Sequence, residues 1–518
     1  MMDNGIGNWP SMRARRNAGR TALIDGDTGR VYAFGEFESR TNALADVLRA
    51  KGIAAGERVA LVSLNSTHML EVLFAVAKLG AVTVPVNFRL TAAEIRYILD
   101  DSGASIVFCS SGLTATVEQA DGATVREVIE LPSAADRSRT TDSHYEQLLA
   151  GGDTTRVEVA VEGADLCAIM YTSGTTGVPK GAMLTHANMV WNAVHYITVD
   201  TGLRPDDIAL TAAPMFHIGG LGVYTLPLFY LGGTTVIMES FAAGPWLDLL
   251  DRYRPTAAFC VPAMWAAIEA AADNPVRDLT SLRATFSGGA PCPVVLIEAL
   301  RRRGLYLTEG FGLTETAPLT TYLDADEVAE HAGSVGKPVN HVRLRIVDDH
   351  NQDVAPGQVG ELLIRGPNVF AGYWHKPEAT AAALREGWFY SGDLARCDED
   401  GYYEIVDRKK DMVITGGENV YPAEVEQVLY RHPAVAEATV IGTPDPKWGE
   451  AVTAVIVRKP GHPVEAADLI TWTRERLAHF KCPRVVEFVE ALPRNATGKV
   501  LKRELRARWV EGGAAVTR

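Results

Sequence analysis

Tyr171-Thr172-Ser173-Gly174-Thr175-Thr176-Gly177-Val178-Pro179-Lys180-Gly181 is the stretch from which the rest of the chain can be read. Ahead of it, 166–171 is an apolar run of strand length. Behind it, Thr185 is placed to cap a helix through Met189, Trp191 and Val194. The loop between them carries two internal glycines, four hydroxyl side chains and a terminal lysine, and no carboxylate. Glycine lets backbone N–H groups turn toward a ligand, hydroxyls add donors, and the lysine adds one mobile positive charge. Such a loop suits the phosphate tail of a nucleotide. Its spacing, Gly174-x-x-Gly177-x-x-Lys180, is not that of a Walker A loop. A polar surface turn would explain the glycines and threonines, but not the strand leading in or the lack of an acid.

Around this loop the chain alternates strand and helix. Strand patterns fall at 59–64, 81–85 and 105–109, with helices at 66–79, capped by Ser66, and from Thr91, whose partner Glu94 completes a capping box. Further strands read at 208–213, 234–238, 256–261 and 282–287, with helices at 245–253, 263–272 and 293–303 between them. Alternation of this kind calls for mostly parallel sheets covered by helices. The polar, acidic 112–163 reads as loops over one edge. At 342–347 and 360–364, short strands flank an Asp348-Asp349-His350-Asn351 turn and suggest a small antiparallel unit. Past Asp407-Arg408-Lys409-Lys410-Asp411, helices at 421–431 and 466–478 with strands at 434–441 and 451–457 form a separate α+β unit, and 511–518 reads as a loose tail.

Five further segments carry chemistry. Ser287-Gly288-Gly289-Ala290-Pro291 follows a strand and is slim enough for an adenine ring to lie against its backbone, though a tight turn explains it almost as well. In Glu309-Gly310-Phe311-Gly312-Leu313-Thr314-Glu315, Phe311 can face a base, Thr314 can donate to a phosphate, and Glu315 is a hard oxygen ligand for Mg²⁺. Asp393, in Ser391-Gly392-Asp393, can accept both hydroxyls of a ribose, and Arg408 could reach the same sugar. His217, in Met215-Phe216-His217-Ile218-Gly219-Gly220, stands beside glycines that leave a cavity for substrate. Lys499, on the Asn495-Ala496-Thr497-Gly498-Lys499 turn, can bridge two anions, a substrate carboxylate and an α-phosphate.

Taken together and in this order, these segments resemble the motifs of the adenylate-forming superfamily, and within it the acyl-CoA synthetase branch. The likeness runs from about Ala22 to Lys502. It implies an N-terminal AMP-binding domain over 1–409 and a mobile C-terminal domain over 410–518, hinged near Lys410. It implies that Thr172, Ser173, Gly174, Thr175, Thr176, Gly177 and Lys180 hold the phosphates of ATP. Gly288, Gly289, Ala290, Pro291, Glu309, Gly310, Phe311, Gly312 and Thr314 would surround the adenine and the phosphates nearby. Magnesium would sit on Glu315 and Thr176, the ribose on Asp393 and Arg408, and Lys499, with His217, Glu315 and Lys180, would serve the chemistry. Gly416, Gly417 and Trp448, with Phe480, Lys481 and Arg484, would line the path of CoA. Cys482 stands where some relatives carry a basic residue.

The implied reaction has two halves: the acid attacks the α-phosphate of MgATP and expels pyrophosphate, then CoA displaces AMP to give a thioester. The lining candidates His217, Ile218, Gly219, Gly220, Val223, Met264, Trp265, Gly288, Gly289, Gly310 and Gly312 include no carboxylate. An α-ammonium group would therefore be buried unpaired, which disfavours amino acids and points to an apolar fatty, alicyclic or aryl acid. Two alternatives stay open: an adenylating enzyme that stops at acyl-AMP or loads a carrier protein, and a nucleotide-binding protein without turnover.

The bulk properties agree. A length of 518 residues exceeds one hydrophobic core, and 47% hydrophobic with 22% charged residues is ordinary for a folded enzyme. The net charge of −14 argues against nucleic acid as partner. Six scattered cysteines without a C-x-x-C pair suggest reduced, buried thiols. With no secretory start and no spanning apolar run, the expected place is the cytoplasm, as monomer or homodimer, with room for loose membrane association through an apolar substrate.

Overall fold

The computed structural model describes residues 4–134, 143–172, 178–273, 276–494 and 500–511. Two sheets rich in parallel pairs make up most of the N-terminal part. One has six strands in the order Glu127–Leu131, Ile106–Ser110, Arg58–Val62, Val82–Val86, Leu166–Thr172, Lys180–Thr185, and only the last pair is antiparallel. The other has nine. Its parallel centre runs through Leu307–Gly312, Ala284–Ser287, Ala257–Cys260, Ile208–Thr211, Thr234–Ile237 and Thr21–Asp25, and antiparallel strands close both edges. The helix Thr67–Lys78 touches Val82–Val86 of the first sheet and Thr21–Asp25 of the second, and every one of its residues is buried. A helix apolar nearly all round suits only such a position between two layers. Ser66 caps it by accepting from the Met69 N–H at 3.2 Å, and the Thr91–Glu94 box caps Ala92–Ser102.

Within 112–163 the expectation of loops fails in part. Glu127–Leu131 adds a parallel edge strand to Ile106–Ser110, and Thr114–Ala120 and His144–Ala150 are helical. The second of these helices is bound to the core by charge. Arg40 of the helix Phe34–Ala50 reaches Glu71 of the buried helix at 2.5 Å and Glu146 at 2.8 Å, while the Tyr145 hydroxyl donates to Glu71 at 2.8 Å. Glu71 is wholly buried, so Arg40 supplies the charge it needs.

The antiparallel unit forms from Arg343–Val347, Gly360–Arg365, Trp388–Cys397, Leu384–Arg385 and Tyr403–Arg408. Beyond it the C-terminal part folds around Glu418–Val420, Val413–Thr415, Gly449–Arg458, Val435–Asp445 and Val485–Phe488, with the helices Pro422–Tyr430 and Ala466–Arg474 packed on this sheet. It has two hydrophobic clusters of its own, built only from residues after 412. All six cysteines are free, and all but Cys397 are buried. Among the described residues, no helix is long and apolar enough to cross a membrane.

Candidate active site

Residues 173–177, and with them Ser173, Gly174, Thr175, Thr176 and Gly177, lie outside the described residues, as does Lys499. The loop is nonetheless placed by its ends. It joins two antiparallel strands, with Thr172 opposite Lys180, and the second of them, Lys180–Thr185, was not among the expected strands. Ala182 and Leu184 are buried on one side of that strand, and Gly181 allows close approach, since a Cβ there would come within 2.6 Å of Ile169. The helix His186–Thr198 then starts as expected, with Thr185 and Asn188 forming a capping box.

Lys180, at the exit of the loop, lies 5.2 Å from the ring centroid of Tyr373. The hydroxyl of Tyr373 donates to Glu315 Oε1 at 2.9 Å. Burial, together with the carboxylate it faces, holds this phenol well above its ordinary range, so it stays a donor. Tyr373 therefore connects the loop's lysine to the metal-ligand candidate. Sequence reasoning passed over it.

Glu315 sits on a 3₁₀ turn, Thr314–Thr316, in which all three residues are buried. Asn368 braces that turn by donating to the carbonyls of Thr316 (3.0 Å) and Leu319 (2.7 Å). The residues present fit a magnesium ion. One hard carboxylate beside a phosphate loop is the usual provision for Mg²⁺ shared with nucleotide phosphates, and among the described residues no group of three or more His, Cys, Asp or Glu forms a protein-only cage.

The strand Leu307–Gly312 leads into this turn. Gly288 lies against two aromatic side chains, since a Cβ on it would meet the ring of Phe286, in the strand it follows, at 3.0 Å and that of Phe259, in the neighbouring strand, at 3.6 Å. Gly289 follows at φ +84°, so the Gly288-Gly289-Ala290-Pro291 turn needs glycine at its second position. Gly310 presses on Phe286 from the next strand, at 2.8 Å from a built Cβ, and at Gly312 a Cβ would collide with the Pro318 carbonyl. Phe311 is half-buried, opposite Thr321.

Glu309 differs from its neighbours. Desolvation pushes its carboxyl up to about 8, only partly offset by the backbone N–H groups of Cys292 and Gly333 that it accepts from. It pairs in register with Ser287, so it points to the opposite face from Gly310.

Asp393 and Arg408 are directly opposite on paired strands, with Arg408 Nε 3.5 Å from Asp393 Oδ1. They connect to Glu315 through Phe370, whose N–H donates to the Glu315 carbonyl at 2.9 Å and whose ring packs at 5.4 Å on Phe389, in the same strand as Asp393.

His217 caps the short helix Ile218–Gly222, its Nδ1 accepting from the Gly219 N–H at 3.1 Å. Gly219 packs against the Phe259 ring, and Gly222 against Pro318, just past Glu315. Beside the helix Ile218–Gly222 lies a small cavity of about 10 Å³, room for about one water, lined by Leu210, Thr211, Ala213, Gly220, Tyr224, Thr225 and Phe259. Aromatic rings continue from it: Phe259 lies 6.0 Å from Phe286, which stacks on Tyr322 at 5.5 Å, and Tyr196 lies 5.9 Å from Phe286 and 5.5 Å from Tyr224. Two expected lining residues do not join this wall. Trp265 is fully buried against Trp246, and Met264 belongs to the same separate core, because the helix Pro262–Ala271 turns that face away.

In the C-terminal part, Gly416 and Gly417 form the turn between Val413–Thr415 and Glu418–Val420, at φ +61° and +85°. The Gly416 N–H donates to the Trp448 carbonyl at 2.8 Å, and Arg484 lies 4.6 Å over the Trp448 ring. Lys481 is paired with Glu424 at 2.8 Å, and Cys482 is buried rather than facing out. Lys410 is exposed between Lys409, whose N–H donates to the Gly392 carbonyl, and Asp411, which Arg506 holds at 2.8 Å.

The geometry thus gathers the two ends of the Thr172–Lys180 loop, a carboxylate on a braced turn, a carboxylate–guanidinium pair and a cluster of aromatic rings. Comparisons with known proteins point the same way. Residues 11–374 match the family model of the AMP-binding enzymes, and 424–499 match that of the AMP-binding enzyme C-terminal domain. The chain is 43% identical to a feruloyl-CoA synthase from Amycolatopsis sp over 509 residues, 98% of this chain and 100% of that protein. Among solved structures it resembles an anthranilate–CoA ligase in complex with anthranoyl-AMP, with TM-score 0.91, 28% identity and 98% of both chains covered. It also resembles the o-succinylbenzoate–coenzyme A synthetase of Bacillus subtilis in complex with ATP and magnesium ion, with TM-score 0.85, 31% identity, and 96% and 99% of the two chains covered.

Proposed function

The chain belongs to the AMP-binding enzyme family, and on that premise we propose that it is an ATP-dependent acid–CoA ligase that turns an apolar carboxylic acid into its CoA thioester through an acyl-AMP, releasing AMP and pyrophosphate. The observation that carries this reading is the connection from Lys180 through Tyr373 to Glu315, at the exit of the Thr172–Lys180 loop and close to Pro318, on which Gly222 of the His217-capped helix packs. Magnesium, when bound, neutralises phosphate charge, and Glu315 and Thr176 are its ligands in this proposal. Lys180 and the loop hold the phosphates in line. Asp393 and Arg408 fix the ribose, and Gly288 to Pro291 with Phe311 fix the base.

His217 is taken as the residue beside which the acid's carboxylate meets the α-phosphate. Lys499 lies between these two anions and screens their repulsion. The domains are taken as 1–409 and 410–518. Rotation about Lys410 then withdraws Lys499 and brings Gly416 and Gly417, with Trp448, to the path of the CoA thiol. Free thiols support a cytoplasmic place.

The test is a CoA-dependent AMP-release screen over fatty, alicyclic and aromatic acids, with Lys499→Ala beside the parent. Lys499→Ala should lose most adenylation, by about 10²-fold or more, yet form thioester from preformed acyl-AMP. Acyl-AMP that accumulates regardless of CoA would sink the ligase reading, and equal loss of both half-reactions would remove Lys499 from its role.

A further inference from the structure

An open pocket of about 440 Å³ lies on the antiparallel unit, lined by His341, Arg343, Arg365, Gly366 and Gly387. That volume is within the range of small-molecule sites. The lining holds no carboxylate and no apolar side chain, so it suits neither a cation nor the apolar acid. Gly387 leads into the strand Trp388–Cys397, on which Asp393 stands six residues further along, about 20 Å of extended chain away. The pocket is therefore separate from the ribose pair.

Arg343 and Arg365 face each other in register on the paired strands Arg343–Val347 and Gly360–Arg365, and both are exposed. Side chains so placed start about 5 Å apart at Cβ, and like charges there repel. The other two arginines at this end of the sheet are occupied. Arg345 donates to Asp353 at 2.7 Å, and Arg385 lies 3.5 Å over the Tyr390 ring. Among the described residues, neither the Arg343 nor the Arg365 guanidinium has an ion pair, a hydrogen bond or a ring. Glu386, beside Gly387, is exposed and pairs with neither. The chain has 64 acidic residues, yet no described one bridges these two cations. His341 adds its ring to the wall, held 4.9 Å from Trp191. Gly387, at φ +78°, leaves the Arg365 fork uncovered, with room for a Cβ 3.7 Å from its central carbon.

We infer that this pocket binds a phosphorylated small molecule, whose phosphate bridges the Arg343 and Arg365 guanidinium groups with His341 beside it. Each planar fork can grip phosphate oxygens in pairs. A phosphate carries about −1.5 to −2 at neutral pH, close to the charge of the two arginines together. It turns their mutual repulsion into a shared attraction, whereas a single carboxylate would leave one of them uncompensated. The site lies outside the residues assigned to the ligase reaction and does not depend on that reading.

The experiment titrates inorganic pyrophosphate, without metal, into the parent, Arg343→Ala/Arg365→Ala and Arg343→Lys/Arg365→Lys, by calorimetry at about 0.15 M salt. In the ligase reading the phosphate loop takes pyrophosphate as well, so the deciding quantity is the difference between parent and variant. The alanine pair should bind one pyrophosphate fewer per chain. The lysine pair keeps the charge but loses the fork, and should hold that pyrophosphate about tenfold more weakly. It also carries the test should the alanine pair fail to fold. CoA-dependent AMP release should match the parent in both variants. Equal stoichiometry in parent and alanine pair overturns the inference. So does a lysine pair that binds as tightly as the parent, or citrate that displaces pyrophosphate from this site at equal concentration, because then any anion would do. A fall in AMP release would place the arginines in the catalytic centre and end the case for a separate site.

Discussion

Tyr373 is the residue whose role follows most directly from position. Its hydroxyl bonds Glu315 across 58 residues of sequence while its ring lies beside Lys180. Tyr373→Phe keeps the ring and deletes one hydrogen bond to a carboxylate, an interaction worth about 1.5–3 kcal/mol. Adenylation, followed by ATP–pyrophosphate exchange, should fall by about tenfold or more, and thioester formation from preformed acyl-AMP should be spared. Equal losses would show that the tyrosine only supports the fold. Glu309 offers a second prediction, on pH. Its folded value is raised to about 8 by burial, so the folded chain holds a proton there that the unfolded chain has released above its ordinary value near 4.5. Folded binds more protons than unfolded between those limits, and stability must fall as pH rises through that window. Glu309→Gln, neutral and of the same shape, should flatten this decline. Melting temperatures at pH 6 and pH 9 check it, and parallel slopes for parent and variant would refute it. Neither residue announced its setting. Tyr373 sits in Gly372-Tyr373-Trp374 with no polar pattern around it, and Glu309 reads simply as one more acid beside a glycine.

Among the elements, those with strong end signals were legible. Ser66, Thr91 and Thr185 each fix a helix start through a side chain accepting from the third residue on, and the runs at 59–64 and 282–287 were apolar enough to be buried strands. Glu127-Val128-Ile129-Glu130-Leu131 was missed because an edge strand shows water one of its sides, and its acids look like loop. Lys180–Thr185 was missed because its glycine and lysine hide a strand held by its partner. The aromatic wall was illegible for a deeper reason: Tyr196, Tyr224, Phe259, Phe286 and Tyr322 come from five elements, and only sheet order brings them together. At this scale the Arg40 cluster gives a prediction. Arg40→Leu leaves Glu71 buried without its charge and should cost about 3–5 kcal/mol, whereas Arg40→Leu with Glu71→Leu should recover part of the loss. Urea denaturation measures both. A single variant as stable as the parent would mean that Glu71 finds another partner. The same cluster sets an acid limit. Burial would raise Glu146, but His68 and Arg40 outweigh it and hold the carboxyl down to about 2, so its contribution is present above the ordinary value and is lost as pH falls toward 2.

For the whole molecule, the question is how one site serves two reactions. Lys410→Pro fixes φ at the proposed hinge. Adenylation should stay near the parent rate while CoA-dependent thioester formation falls by about 10²-fold. Stopped assays of the two half-reactions separate them, and matching losses would put the hinge elsewhere. On the N-terminal side of Lys410, Lys409 is tied to Asp349 at 3.0 Å and Glu361 at 3.3 Å, and Arg408 to Asp393. On the other side, Arg506 grips Asp411 and Lys502 grips Glu426 at 2.9 Å. Both anchors run up to the same residue, so in the hinge proposal the torque between the halves would fall on Lys410. Loosen either anchor and the swing would spread over several bonds and lose its timing. The mixed anhydride would then meet water before thiol, and the enzyme would burn ATP with nothing to show for it.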